Sequence, residues 1–162
     1  MKRILLITVI LGLCFGLTYA QNERPSRSEY TLKLPVDSEL MYEQKVEVSP
    51  YFVKENVLQI YPGERLFIEV KASKKEIISM KVVKENLNPN LTIEVELTQS
   101  VKDGKGELMM LKIVNPFKKD LKYKAMMFIV GQDKWINTTV LPVKSKLTGY
   151  ETWMKEIHNI KK

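Results

Sequence analysis

The chain has 162 residues, with 26 Lys and Arg against 19 Asp and Glu, a single histidine and a single cysteine, Cys14. One cysteine excludes an internal disulfide, and the length suits one domain with a sizeable core. The basic excess is modest, dispersed and mostly lysine, without the arginine-rich stripe and stacking aromatics of a nucleic-acid surface.

Residues 1–20 read as a secretory signal peptide. Lys2 and Arg3 form its basic start, and Ile4 to Leu17 is an apolar core too short to span a bilayer comfortably. Ala20 offers the small residue needed for cleavage before Gln21. Leu13 stands where a lipidated cysteine needs a small neighbour, which argues against a lipid anchor at Cys14. Cleavage leaves 24 basic and 19 acidic residues, a formal +5, and no cysteine. The mature chain therefore has no thiol nucleophile and no cysteine metal site. The expectation is an exported bacterial protein, periplasmic or secreted, with no stable membrane insertion after cleavage.

Residues 21–29 are polar and contain Pro25, which predicts a flexible leader. From residue 30 to residue 162 the chain reads as one all-β domain. Short segments of period-two alternation are separated by turn signals, the pattern of a β-sandwich. Strands are predicted at 30–34, 44–49, 57–60, 66–71, 77–84, 91–98, 107–114, 121–130 and 135–143, so about seven to nine in all. In 91–98, Leu91, Ile93, Val95 and Leu97 face the core, while Thr92, Glu94, Glu96 and Thr98 face water. The segment Lys102 to Gly106 is a turn, and 148–162 is a short helical or irregular tail.

The methionine pairs are read through strand geometry. Adjacent residues in a strand point to opposite faces, so Met109 and Met110, or Met126 and Met127, cannot hold one ion between them. Strands 107–114 and 121–130 are expected to pair as a hairpin, which leaves a copper site of Met109 and Met127 open, with Met154 and His158 as further ligands. Core packing is the plainer role for these thioethers. On 121–130, Met126, Phe128 and Val130 lie opposite the presumed core face, beside Lys122 and Lys124. A covered central strand, with Trp153 as its lid, and an exposed docking patch both fit.

The stretches LQIYPGERLFIEV and LMMLKIVNPFKKDLKYKAMMF, with Asn115-Pro116 followed by Leu121-x-Tyr123, resemble the immunoglobulin-like domains of exported bacterial proteins. The resemblance covers about half of the mature chain and implies a fold alone. It departs from antibody-type domains in having no cysteine pair.

The chain offers little to catalysis. His158 stands alone, no Gly-x-Ser-x-Gly elbow occurs, and the Asp103-Gly104 loop is no phosphate cradle. Glu94 and Glu96, about 7 Å apart along one strand face, match a carboxylate pair in spacing, but a solvated face explains them equally. The expected function is a non-catalytic binding or accessory domain of the bacterial envelope, without a cofactor, that docks a protein through Met126, Phe128, Val130, Lys122 and Lys124. Two alternatives stand beside it: a carbohydrate-binding module using Trp135, Trp153, Tyr150 and Phe117, and the methionine copper site.

Overall fold

The computed structural model describes residues 25–73, 77–129 and 134–154. The signal-peptide reading, Val130 and His158 lie outside the described residues. The described chain is all β, with every pairing antiparallel. In chain order the strands are β1 (Ser26–Arg27), β2 (Tyr30–Pro35), β3 (Met41–Val46), β4 (Ser49–Pro50), β5 (Phe52–Lys54), β6 (Val57–Leu58) and β7 (Arg65–Ala72). They continue with β8 (Ile77–Val83), β9 (Thr92–Lys102), β10 (Lys105–Val114), β11 (Ala125–Ile129), β12 (Lys134–Thr138) and β13 (Thr148–Met154). Thirteen strands thus stand among the described residues, four of them of only two or three residues, where the sequence predicts seven to nine.

The centre is a five-stranded sheet in the order β13-β10-β9-β7-β8. Its register carries the pattern of the core. Leu66, Val95, Ile113 and Gly149 align across four strands, with Val82, Ile68 and Ile93 in one neighbouring row and Leu97, Leu111 and Glu151 in the other. One face of the sheet thus presents Leu66, Ile68, Val70, Ile93, Val95, Leu111 and Ile113, all buried. Each contributes about 2 kcal/mol on removal from water. Phe52, Leu58, Ile60, Phe117, Leu121 and Val143 pack against this face from other segments. The β9–β10 turn has two residues, Asp103 and Gly104, with φ of 50° and 75°. Positive φ at both positions is the type I′ geometry whose twist matches a hairpin.

Several expectations are corrected. Strands 107–114 and 121–130 do not form a hairpin: β10 lies between β9 and β13, and β11 pairs with β12. The strand predicted from 121 is a single bridge, Leu121 to Val143, and regular pairing begins at Ala125. Thr148–Met154 is an edge strand, where a helical or irregular tail was expected. Its inward positions hid it from hydrophobic patterning. Gly149 is one of them because a Cβ there would stand 2.7 Å from Val143 Cγ2. Glu151 is another, and it accepts hydrogen bonds from Leu141 N at 2.7 Å and Tyr123 Oη at 3.4 Å. On β9 and its approach, Thr92 is buried and Leu91 exposed, the reverse of the predicted alternation. The Thr92 hydroxyl is satisfied there by donating to Asn88 O at 2.8 Å.

Arg27 also departs from the sequence reading, in which it belonged to a flexible leader. It sits in β1, paired with β4, and is buried. Its guanidinium donates to Glu64 Oε1 at 2.8 Å, Gln59 O at 2.6 Å and Ser49 Oγ at 3.1 Å. The Tyr51 and Tyr61 rings take up its faces at 4.8 and 4.9 Å. A planar cation with five donors is the residue type that such a site can bury.

Asn115 closes the other end. It is fully buried, and its Nδ2 donates to Lys119 O at 2.8 Å and to Val143 O and Lys144 O at 3.0 Å. Its Oδ1 accepts from Phe117 N at 2.9 Å, and its backbone N–H reaches Leu147 O at 2.9 Å. Asn115→Ala removes all the side-chain bonds and strands buried carbonyls. The expected loss is about 3 kcal/mol of unfolding free energy in urea titrations. Asn115→Asp is expected to lose at least as much, because a carboxylate oxygen then faces those carbonyl oxygens.

Two phenols resist ionisation. Burial, and then the Glu64 charge, pushes Tyr30 up to about 12; burial and Glu151 do the same for Tyr123. The unfolded chain ionises them near 10.0, so their contribution is intact below that value and is lost as pH rises towards 12. Spectrophotometric titration is expected to show a late phenolate step that shrinks in Tyr30→Phe and again in Tyr123→Phe.

Candidate functional site

The hairpin β11–β12 is a separate two-stranded sheet. Its register sets Ala125 opposite Thr138, Met127 opposite Ile136, and Ile129 opposite Lys134 on one face. Trp153 on β13 holds that face through an indole N–H donated to Thr138 Oγ1 at 2.8 Å. The other face places Met126 opposite Asn137 and Phe128 opposite Trp135. Strand alternation alone sends these side chains outward.

This outward face is apolar and open. Met126 is 54% exposed, Phe128 41% and Trp135 52%. The Phe128 and Trp135 rings meet at 5.5 Å between centroids with a 58° tilt. A directly opposed aromatic pair contributes about 0.5–1 kcal/mol to its hairpin, far less than burial of the same rings contributes. Trp153 is no lid for this patch; it lies half-buried on the core side. Lys122 and Lys124 are exposed on the segment leading into β11, and Lys134 is exposed on β12. Met126, Phe128, Lys122 and Lys124 therefore occupy one neighbourhood, and Trp135 joins them. Sequence reasoning had set Trp135 with the sugar-binding residues; only the cross-strand register puts it beside Phe128.

The remaining residues are scattered. Phe117 is half-buried against the main core, and Tyr150 is exposed on the outer face of the five-stranded sheet, opposite Lys112. With Trp153 on the core side, the four aromatics of the carbohydrate reading do not share a plane. Met109 stands opposite Gln99 and Trp153 in the large sheet, whereas Met127 stands opposite Ile136 in the small one. The copper reading needed these two methionines on paired strands, and the strand order removes that premise. Met154, opposite Leu108, is exposed at the end of β13. Among the described residues no cluster of three or more His, Cys, Asp or Glu side chains is placed to hold a metal ion.

Glu94 and Glu96 sit on the outer face of β9 with Arg65 and Lys112. Glu94 Oε1 lies 2.9 Å from Arg65 Nη2 and 3.0 Å from Lys112 Nζ, and Glu96 Oε2 lies 3.6 Å from Lys112 Nζ. Burial pushes the Glu94 carboxyl up, but the hydrogen bonds from Arg65 and Lys112 outweigh it and hold the group below the usual carboxylate range. A glycosidase acid needs the opposite shift. Compared with protein-family models, with curated proteins and with solved structures, the chain gives no match.

The Glu94 network makes a prediction about acid. A depressed carboxyl stabilises the fold above its unfolded value, and that contribution is lost as pH falls through the folded value. Stability followed by thermal melts is expected to drop below pH 4.5. Glu94→Gln starts less stable at neutral pH and loses less on acidification.

Proposed function

We propose that this protein is a non-catalytic docking domain of the bacterial envelope, an exported immunoglobulin-like β-sandwich that engages a protein partner through the outer face of β11–β12. The fold reading is supported by an antiparallel sheet with one apolar face covered by residues from 51–60, from 117–123 and by Val143, and by the Asn115-Pro116 turn. The functional reading rests on one observation: the Phe128–Trp135 pair, with Met126 beside it, points away from the core. Aromatic anchors bordered by polar residues are the usual make-up of a binding centre. The exposed Lys122, Lys124 and Lys134 favour a partner whose apolar pocket has an acidic border.

The hairpin suits this work physically. Its inner face is fixed to β13 by Trp153, so the outer face is held in place before a partner arrives. A preorganised surface loses less entropy on binding.

The test uses the protein expressed in its native host, cross-linked in place and captured by a tag. One near-stoichiometric protein partner is expected with the wild type. Phe128→Asp is expected to reduce its recovery at least tenfold while the melting temperature stays within a few degrees, since the ring is exposed. Full recovery with Phe128→Asp, or no partner with the wild type, overturns the docking assignment. Retention on polysaccharide that depends on Trp135 moves the assignment to glycans.

A further inference from the structure

The sequence scatters its lysines, but the fold does not. Residues 117–124 (FKKDLKYK) and 143–147 (VKSKL) are joined by backbone. Leu121 bridges Val143, Lys146 N donates to Phe117 O at 3.0 Å, and Asn115 ties Lys119 O to Val143 O and Lys144 O. Together the two segments carry six lysines, Lys118, Lys119, Lys122, Lys124, Lys144 and Lys146, and a single carboxylate, Asp120. All six lysines are exposed. Asp120 is engaged by Lys144 Nζ at 2.9 Å and Ser145 N at 3.1 Å, which hold its carboxyl below the usual range and keep it charged.

Four of the lysines, Lys118, Lys119, Lys144 and Lys146, flank the junction of the two segments and with Asp120 give it a formal +3, whereas Lys122 and Lys124 lie beyond the bridge on the segment leading into β11.

Two further features bear on what this end meets. Lys146 has φ of 60°, a left-handed backbone that favours glycine. Its Nζ donates to Asn90 Oδ1 at 3.2 Å at an exposed position. Beside it, Leu147 is 57% exposed, and Leu141, six residues earlier in the chain, is 73% exposed. A hydrated acidic polymer offers apolar side chains nothing. An anionic bilayer offers headgroup charge to lysines and an apolar boundary to leucines. Nucleic acid is disfavoured, because no arginine and no exposed stacking ring lies on these segments.

We infer that the lysine end formed by residues 117–120 and 144–147 docks the protein on an anionic lipid surface, with Leu147 entering the headgroup boundary. This contact is separate from the Phe128–Trp135 face, and it leaves that face free to meet a partner at the membrane.

The experiment is flotation with vesicles of neutral phosphatidylcholine, alone or mixed with anionic phosphatidylglycerol. It uses protein expressed from the whole reading frame, and variants are compared pairwise so that any contribution of residues 1–20 cancels. The wild type is expected to float with the anionic vesicles, less so as salt rises, and to ignore neutral ones. Each lysine removed is expected to lower partitioning roughly fivefold, so Lys118→Gln, Lys119→Gln and Lys146→Gly together lower it on the order of a hundredfold. Lys146→Gly by itself is expected to keep the melting temperature or raise it while it weakens binding, which separates the role from stability. Leu147→Ser is expected to weaken vesicle binding and leave binding to dextran sulfate unchanged. Equal flotation with neutral vesicles, or unchanged flotation of the triple variant, overturns the proposal. Binding to dextran sulfate without binding to vesicles also overturns it, in favour of a soluble acidic polymer.

Discussion

Asn115 is almost wholly buried, so its amide must find every partner inside the protein. It does so by gathering the turn after β10 and the strand of chain before β13 around one side chain. An amide suits this better than any other group of its size. It donates twice and accepts at a separate atom, whereas a hydroxyl has one donor and a carboxylate none. The neighbouring Pro116, also buried, removes a backbone N–H that would otherwise need a partner. Val143 enters the core because Asn115 holds its carbonyl, and Gly149 leaves the space that Val143 fills. The edge strand β13, the lysine-bearing turn and the approach to β11 all take their positions from this knot.

Arg27 and Glu64 do similar work at the opposite end by a different kind of bond. A buried ion pair is expensive to dehydrate, and it becomes tolerable only when every donor and acceptor is occupied. Here the carboxylate also accepts from Tyr61 N at 2.8 Å, and the cation is enclosed by two rings. With a single cysteine and so no internal disulfide, the chain leaves to these polar knots the stapling that cysteines perform in many small domains.

Much of the fold was legible in alternation. Leu66, Ile68 and Val70 on β7, and Ile93 and Val95 on β9, show the period of two that one buried face imposes, and the Asp103-Gly104 turn announces itself by residue type. The misses share a cause: they are positions where a partner distant in sequence supplies the reason for the residue. Gly149, Glu151 and Trp153 do not read as one face until Val143, Leu141 and Thr138 are beside them. Arg27 does not read as interior without Glu64. For the candidate site, the outward placement of Met126 and Phe128 followed from parity along one strand, whereas Trp135 needed the register of the next. The lysine junction was invisible because the segment that carries Lys118 and Lys119 and the segment that carries Lys144 and Lys146 are tied by backbone bonds and by Asn115 rather than by a motif.

The bond from Asn115 N to Leu147 O has a consequence for how this protein can change. Beyond it, Val114 pairs with Thr148 and the ladder of β10 and β13 runs on without interruption. Everything from Pro116 to Lys146 is thus an excursion whose two ends leave and re-enter the sheet at one point. The entropy of closing such an excursion grows only with the logarithm of its length, so insertions that leave its core residues Phe117, Leu121 and Val143 in place cost the sheet little. The lysine end and the aromatic hairpin both lie inside it. Evolution can therefore rewrite what this protein touches, residue by residue or by whole loops, while the five-stranded frame keeps its register and its core.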